Sequence, residues 1–577
     1  AIAITGVLDL NAAIADANSL TVSGVSLLDA DVTTSGNQTY SGAITLGTAA
    51  RTLAGSTIQT VAVNGAQNLT ITGNLDLNGA ITQVAVFAVS GTTDLGANVT
   101  TADTQTYTGA VTLSADVALT TTNNQFSFGS TVQSDGTARD LTLNSGTATI
   151  GITGAIGGNS KPLDVLTITQ SGGVTFSGAI NADTVTLTDT TGSITFAVST
   201  ALETLNTADQ DYNVIFNGSA NTITNQVTFS NTGYITFGNA SGDSSTFNGS
   251  LITAAPSQIR LAGTLQTSND AMSLGTAVVL YANSILNTGS AALTVGSTVD
   301  GGYTLTLNST AATTFSGIVG GSTKLTGIIT NSGGTVVFNT TAISTDGDQT
   351  YNDAATLGDN ITFTTTGDNI VFASTVNSVS STKTLDIVAG AGNTTFSGTV
   401  GGSEALGNTT IGTAVLTAAA IKVQGTLAIT NSGTSTITGI ISDGDTAAIL
   451  TKAGAGTLTL SGDNTYTGAT TVSAGVLAIT HADALGGTSG ATTVADGAYL
   501  KLSNGINVAE AITISGTGIS NSGVIQSNSG DNTLSGQITL AAHSAIYSYS
   551  GTLTLDVSSS SSITASDKNI TFGGSGN

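Results

Sequence analysis

Thr106-Tyr107-Thr108-Gly109-Ala110-Val111-Thr112-Leu113 is the most informative stretch of this chain. Apolar residues alternate with Thr on either side of a Gly, the period of half-buried strands joined by a turn residue. Thr39-Tyr40-Ser41-Gly42-Ala43-Ile44-Thr45-Leu46 is a second copy, and Thr465-Tyr466-Thr467-Gly468-Ala469-Thr470-Thr471-Val472 a third. A looser copy is Thr350-Tyr351-Asn352-Asp353-Ala354-Ala355-Thr356-Leu357. A different unit, Thr314-Phe315-Ser316-Gly317-Ile318-Val319-Gly320-Gly321, returns as Thr395-Phe396-Ser397-Gly398-Thr399-Val400-Gly401-Gly402.

Between these copies lie further strand-like runs, such as Thr184-Val185-Thr186-Leu187-Thr188 and Tyr303-Thr304-Leu305-Thr306-Leu307. They are separated by Gly/Asn/Ser turns such as Asn331-Ser332-Gly333-Gly334. Helical spacing of useful length is missing; Asp443–Ala453 and Ala482–Leu485 come nearest and are too short. Self-similar short strands that cannot bury an apolar face alone predict coils stacked on one another. The expected fold is all-β, a parallel β-helix (β-solenoid) forming an elongated rod. At ~20 residues per coil and ~4.8 Å per rung there would be roughly 29 coils and a rod on the order of 140 Å long. Twisted sandwiches in a row are the rival architecture, but no compositional boundary separates such domains.

Composition agrees. The 577 residues include 73 Gly, 15 Phe, 11 Tyr, two Pro and no Trp or Cys. A narrow interior suits medium apolar side chains and Phe ladders, and Tyr suits positions where its hydroxyl reaches water or a turn. Pro would delete a ladder donor. Without Cys there are no disulfides, thiolate metal sites or Cys nucleophiles. Ten Lys+Arg face 35 Asp+Glu, a net charge of -25 that argues against nucleic acid as a partner. No apolar run reaches the ~18 residues of a membrane span, so no membrane-spanning segment is expected. The N-terminus, Ala1-Ile2-Ala3-Ile4, shows no signal peptide, and the C-terminus stops just after strand-like Ile570-Thr571-Phe572. The chain therefore reads as a segment of a longer precursor.

From Lys452-Ala453-Gly454-Ala455-Gly456-Thr457-Leu458-Thr459-Leu460-Ser461-Gly462-Asp463-Asn464 through Thr465–Leu477, the sequence resembles the autotransporter-associated β-strand repeat. The Thr-Phe-Ser-Gly units and Gln349-Thr350-Tyr351-Asn352-Asp353-Ala354 resemble, more loosely, the strand repeats of filamentous-haemagglutinin-like adhesins. The resemblance implies a right-handed β-helix exported through an outer-membrane pore, working in adhesion, matrix or surface coats. It divides the chain into haemagglutinin-like repeats over 1–445 and an autotransporter-repeat continuation over 446–577.

Chemistry-bearing groups are few. His481 and His543 lie 62 positions apart, with no nucleophile elbow or metalloprotease motif nearby. Gly157-Gly158-Asn159-Ser160-Lys161 and Gly320-Gly321-Ser322-Thr323-Lys324 lack the Ser/Thr that follows a phosphate-loop Lys and read as turns. The acidic turns at Asp346, Asp348, Asp443, Asp445 and Asp463 offer oxygen ligands of the kind Ca²⁺ takes, but without a known Ca²⁺ spacing; ordinary solvated turns are the favoured reading, weak Ca²⁺ sites the alternative. No cofactor other than Ca²⁺ is suggested. Outward Thr arrays such as Thr184-x-Thr186-x-Thr188 would order water only if the register held over many coils. The run Ser558–Ser562 is a loop or polar coil.

The expected function is a non-enzymatic structural protein, extracellular or on a bacterial cell surface. It would be a rigid adhesin stalk or a fibre, coat or matrix subunit that assembles end to end, self-associating into a filament or surface layer. The alternative is a module binding cell-surface glycans or host surfaces, for which Tyr547 and Tyr549 are the exposed aromatic candidates. A polysaccharide-active enzyme would need convergent carboxylates beside basic residues, and the ten basic residues do not cluster.

Overall fold

The computed structural model describes residues 1–158, 162–379, 383–557 and 561–577. Parts of the Gly157–Lys161 turn and of the Ser558–Ser562 run lie outside the described residues. Among the described residues there is no α-helix, and one 3-10 turn, Ile519–Asn521. Among the described residues no helix is long and apolar enough to cross a membrane. The strands pair in parallel throughout and form about 26 coils of a β-solenoid. Asp443–Ala453 falls within the long strand Ile441–Ala453, and Ala482–Leu485 is a turn.

A typical strand has three residues with buried, exposed, buried side chains, as in Leu20–Val22 and Val99–Thr101. Period-2 alternation aims the first and third residues inward and leaves the second to solvent. Leu20 pairs with Gln38, and Phe87 with Gln105, each 18 residues on. Elsewhere the coil is longer: Ile150 pairs with Val174 and Ser544 with Ile570, spacings of 24 and 26. Corner insertions therefore lower the coil count below that expected from a uniform short coil.

The chain divides into two compact units, Ala1–Thr288 and Gly289–Asn577. In the first, Phe176, Phe196, Phe216 and Phe237 occupy the same place on successive coils, with ring centroids 5.2, 4.8 and 5.9 Å apart. In the second, Tyr351, Phe372 and Phe396 do the same at 4.9 and 5.3 Å. Offset stacking adds roughly 0.5–1.5 kcal/mol per pair to the burial itself.

Tyrosine departs from expectation. Tyr40, Tyr107, Tyr212, Tyr351 and Tyr466 are fully buried. At Tyr40, Tyr107 and Tyr351 burial is tolerated because a Gln two residues earlier shares the inward face, while the Tyr212 hydroxyl donates to the Leu187 carbonyl at 3.3 Å. Gln38, Gln105 and Gln349 each accept the hydroxyl of Tyr40, Tyr107 and Tyr351 at 3.0 Å. Their amide nitrogens donate to a carbonyl of the same coil, that of Val32, Val99 and Ile343, at 3.2, 3.2 and 3.3 Å. They also donate to the next coil, at the carbonyls of Ala54, Thr120 and Thr364, at 2.7, 2.9 and 2.8 Å. A satisfied buried network of this kind fixes register as well as adding stability. The fourth copy has the shorter Asn464, and Tyr466 pairs with Thr470 Oγ1 at 2.7 Å instead.

The glycine of the Thr-Tyr-x-Gly unit marks a corner where successive coils nearly touch. A Cβ on Gly109 would run into the backbone of Gly91, and one on Gly91 into that of Gly73. Only the residue without a side chain fits there.

Candidate functional site

The acidic turns serve first as staples between coils. Asp346 accepts the Thr366 hydroxyl at 2.9 Å and lies 3.8 Å from Lys324 Nζ, an exposed pair of small energetic weight. Asp348 accepts the backbone and side-chain N–H groups of Asn369 at 2.9 and 3.1 Å. Asp443 spends both oxygens within the protein, on the Ala448 N–H at 2.7 Å and on Thr467, whose hydroxyl donates at 2.7 Å. Asp445 is exposed, and its own N–H donates to Gln424 Oε1 at 3.2 Å.

Asp463 has different company. One ligand atom each from Asp463, His481 and Asp483 lie within 4.8 Å of one another. The His481 Nδ1 accepts the Asp483 N–H at 3.2 Å and stands 3.9 Å from the Asp483 carboxylate. An imidazole with two carboxylates suits a divalent first-row metal better than Ca²⁺, which takes oxygen ligands. His481 and Asp483 follow Asp463 by about one coil, so coil length, rather than any local motif, brings them together.

Glu510 and Lys452 stand out among the ionisable side chains buried in the second unit, which also include Asp353. Glu510 is 3% exposed; Thr492 Oγ1 donates to its Oε1 at 2.8 Å, and Oε2 has no partner. Burial pushes its pKa from 4.5 up to about 8, against a smaller downward pull from the Thr492 hydroxyl. Lys452 is wholly buried in a column it shares with Ile429 and Val472. Burial draws its pKa down to about 8, while its Nζ donates to the carbonyls of Ala453, Gly454 and Ala474 at 2.7, 2.9 and 3.2 Å.

The Glu510 shift has a definite sign. A folded-state pKa above the unfolded value stabilises fully below about 4.5 and loses that contribution as pH rises through about 8. The denaturant midpoint of the wild-type chain should therefore fall between these values, and Glu510→Gln should flatten that fall. An unchanged slope in the variant would refute the assignment.

Five hollows on the described surface have volumes of 280–650 Å³, and Asp209 is the one titratable side chain lining them. His543 accepts the Asn569 N–H at 2.9 Å, in a different part of the second unit's sequence from His481. Tyr547 and Tyr549 do meet, with ring centroids 6.1 Å apart, but Tyr549 donates its hydroxyl to the Ser522 carbonyl and Tyr547 lies against Gly573.

The Thr array expected at Thr184–Thr188 is short-lived: Thr186 pairs with Asn206 on the next coil. A longer one lies in the second unit. Thr451, Thr471, Thr493, Thr513, Thr539 and Thr564 pair in succession. Each occupies an outward position of its strand, half-buried or exposed, and the exposed Ala469, Ala491 and Ala511 run alongside.

Residues 450–479 match the passenger-associated-transport-repeat family. That segment holds Lys452, Asn464 and Tyr466, together with strands Thr457–Leu460, Thr470–Val472 and Gly475–Ile479. Neither a curated protein nor a solved structure matches the chain. The repeat suggests a secreted or cell-surface protein. Stacked parallel coils and this repeat together fit an autotransporter-passenger-like β-repeat protein.

Proposed function

We propose that the chain is a non-enzymatic structural element of a bacterial surface, a stalk, fibre or coat subunit whose stacked coils are its working part. The observation that carries this reading is coil-on-coil pairing sustained within each unit by buried aromatic and Gln–Tyr columns. Such a stack resists bending because each rung is hydrogen-bonded to the next along the backbone. The acidic charge keeps so apolar a sequence in solution and away from anionic membranes.

In this reading copies associate side by side. The six-Thr column and its alanines offer a face of small, uncharged side chains on a molecule of net charge -25, where two copies meet without opposing like charges. Electron microscopy of the purified chain over a concentration series should show bundles or layers that Thr493→Lys disperses. Monodisperse particles at every concentration would overturn the assembly, and globular beads would overturn the structural role.

A further inference from the structure

An aromatic–guanidinium patch in the first unit has no counterpart in the roles described so far. Thr236, Arg260 and Val279 pair in register on three successive coils, as the outward middle residues of that face. The Arg260 guanidinium carbon lies 3.6 Å from the centroid of the Tyr234 ring and 6.0 Å from that of Tyr281. Arg260 Nε donates to Gln258 Oε1 at 3.0 Å. Stacking and this hydrogen bond fix the plane of the guanidinium before any ligand arrives, which lowers the ordering cost of binding.

Two features suggest a missing partner. In a chain with 35 acidic residues, Arg260 forms no ion pair among the described residues, whereas Arg51 and Arg139 do. Its terminal nitrogens are therefore available as a two-pronged donor, the geometry that matches a carboxylate. Tyr281 is 54% exposed, the most exposed aromatic ring apart from Phe572. A large apolar ring held open beside a fixed cation on an otherwise Thr-rich strand face offers a stacking floor.

We propose that Arg260, Gln258 and Tyr281 form a binding site for an acidic pyranose, a uronic-acid type sugar within a glycan. Its carboxylate pairs with the Arg260 fork, and the apolar face of its ring lies on Tyr281. The strands beneath this patch are paired on both sides, which leaves no edge for an extended peptide to add to. The site is independent of the structural role argued above, since it needs only three adjacent coils of the first unit.

The test is calorimetric or NMR titration of the full chain with a galacturonate trisaccharide, the neutral galactose trisaccharide and an acidic peptide. The acidic sugar should bind in the millimolar range, the neutral sugar at least about ten-fold more weakly because the charge-assisted fork is lost, and the peptide about ten-fold more weakly because its carboxylate meets the fork but no apolar ring face lies on Tyr281. Arg260→Gln, Arg260→Lys and Tyr281→Ala should each weaken it about ten-fold, whereas Tyr281→Phe keeps the ring and should stay within about two-fold. Circular dichroism identical to wild type certifies each variant, and Arg260→Lys preserves charge if Arg260→Gln is unstable. No acidic-sugar binding, equal binding of the neutral sugar, tighter binding of the peptide, or indifference to Arg260→Lys and Tyr281→Ala would each overturn the proposal.

Discussion

Tyr351→Ala should destabilise the second unit by about 4–6 kcal/mol, the sum of an aromatic-sized cavity and a stranded buried acceptor. The ring packs against Phe338, Phe363 and Phe372, with centroids 5.2, 5.4 and 4.9 Å away. Its hydroxyl is the donor to Gln349 Oε1 at 3.0 Å. The loss should also be local, because each coil touches only its neighbours. Hydrogen exchange should rise in Gly327–Thr330, Gln349–Tyr351 and Ile370–Phe372 and stay near wild type in Ile538–Ser548. Tyr351→Phe keeps the ring and removes only the donor, so it should cost about 1–2 kcal/mol. Equal losses for Phe and Ala would show that the hydroxyl, rather than the ring stack, dominates.

Lys452→Ala should cost about 3–5 kcal/mol, because truncation opens a cavity and removes the shared donor of three carbonyls. Those carbonyls belong to Ala453, Gly454 and Ala474, on two adjacent coils, so the ammonium pins one corner to the next. Lys452→Met refills most of the volume and should recover only the packing part of the loss. Urea unfolding of the three proteins separates the two contributions. A Met variant as stable as wild type would show that the buried ammonium does not hold the corner.

The strands and their parallel stacking were legible because period-2 alternation and repeated units are local properties. Phe columns were expected from composition and a narrow interior, and Phe176 and Phe396 in them belong to Thr-Phe-Ser-Gly copies. Coil length was less legible: the spacing runs from 18 residues at Leu20–Gln38 to 26 at Ser544–Ile570, and insertions at corners leave no mark on the strands they join. That is why Asp463 was visible as an acidic turn residue while its neighbours His481 and Asp483 were not assembled with it. The buried Gln of the Gln-x-Tyr unit was a missed signal of another kind. Two residues apart on a strand share a face, so an inward Tyr351 already places Gln349 inside. Lys452 follows Leu450 by the same rule. Neither side chain had been singled out from the sequence, and alternation outweighs polarity where carbonyls are at hand. Arg260 and Tyr281 come together through pairing register, which sequence spacing does not supply.

The stacking of coils is tested most directly by disulfide trapping, which the absence of native cysteine makes clean. Thr395, Thr417 and Thr436 are outward residues on three successive strands of the second unit, paired in that order. Cysteines at 395 and 417 should be about 4.8 Å apart, within the ~4.4–6.8 Å that a disulfide spans, and should cross-link on mild oxidation. Cysteines at 395 and 436 should be about 10 Å apart and remain free. Cross-linking of the 395/417 pair alone is the predicted result; a free 395/417 pair, or equal cross-linking of both pairs, would contradict the solenoid.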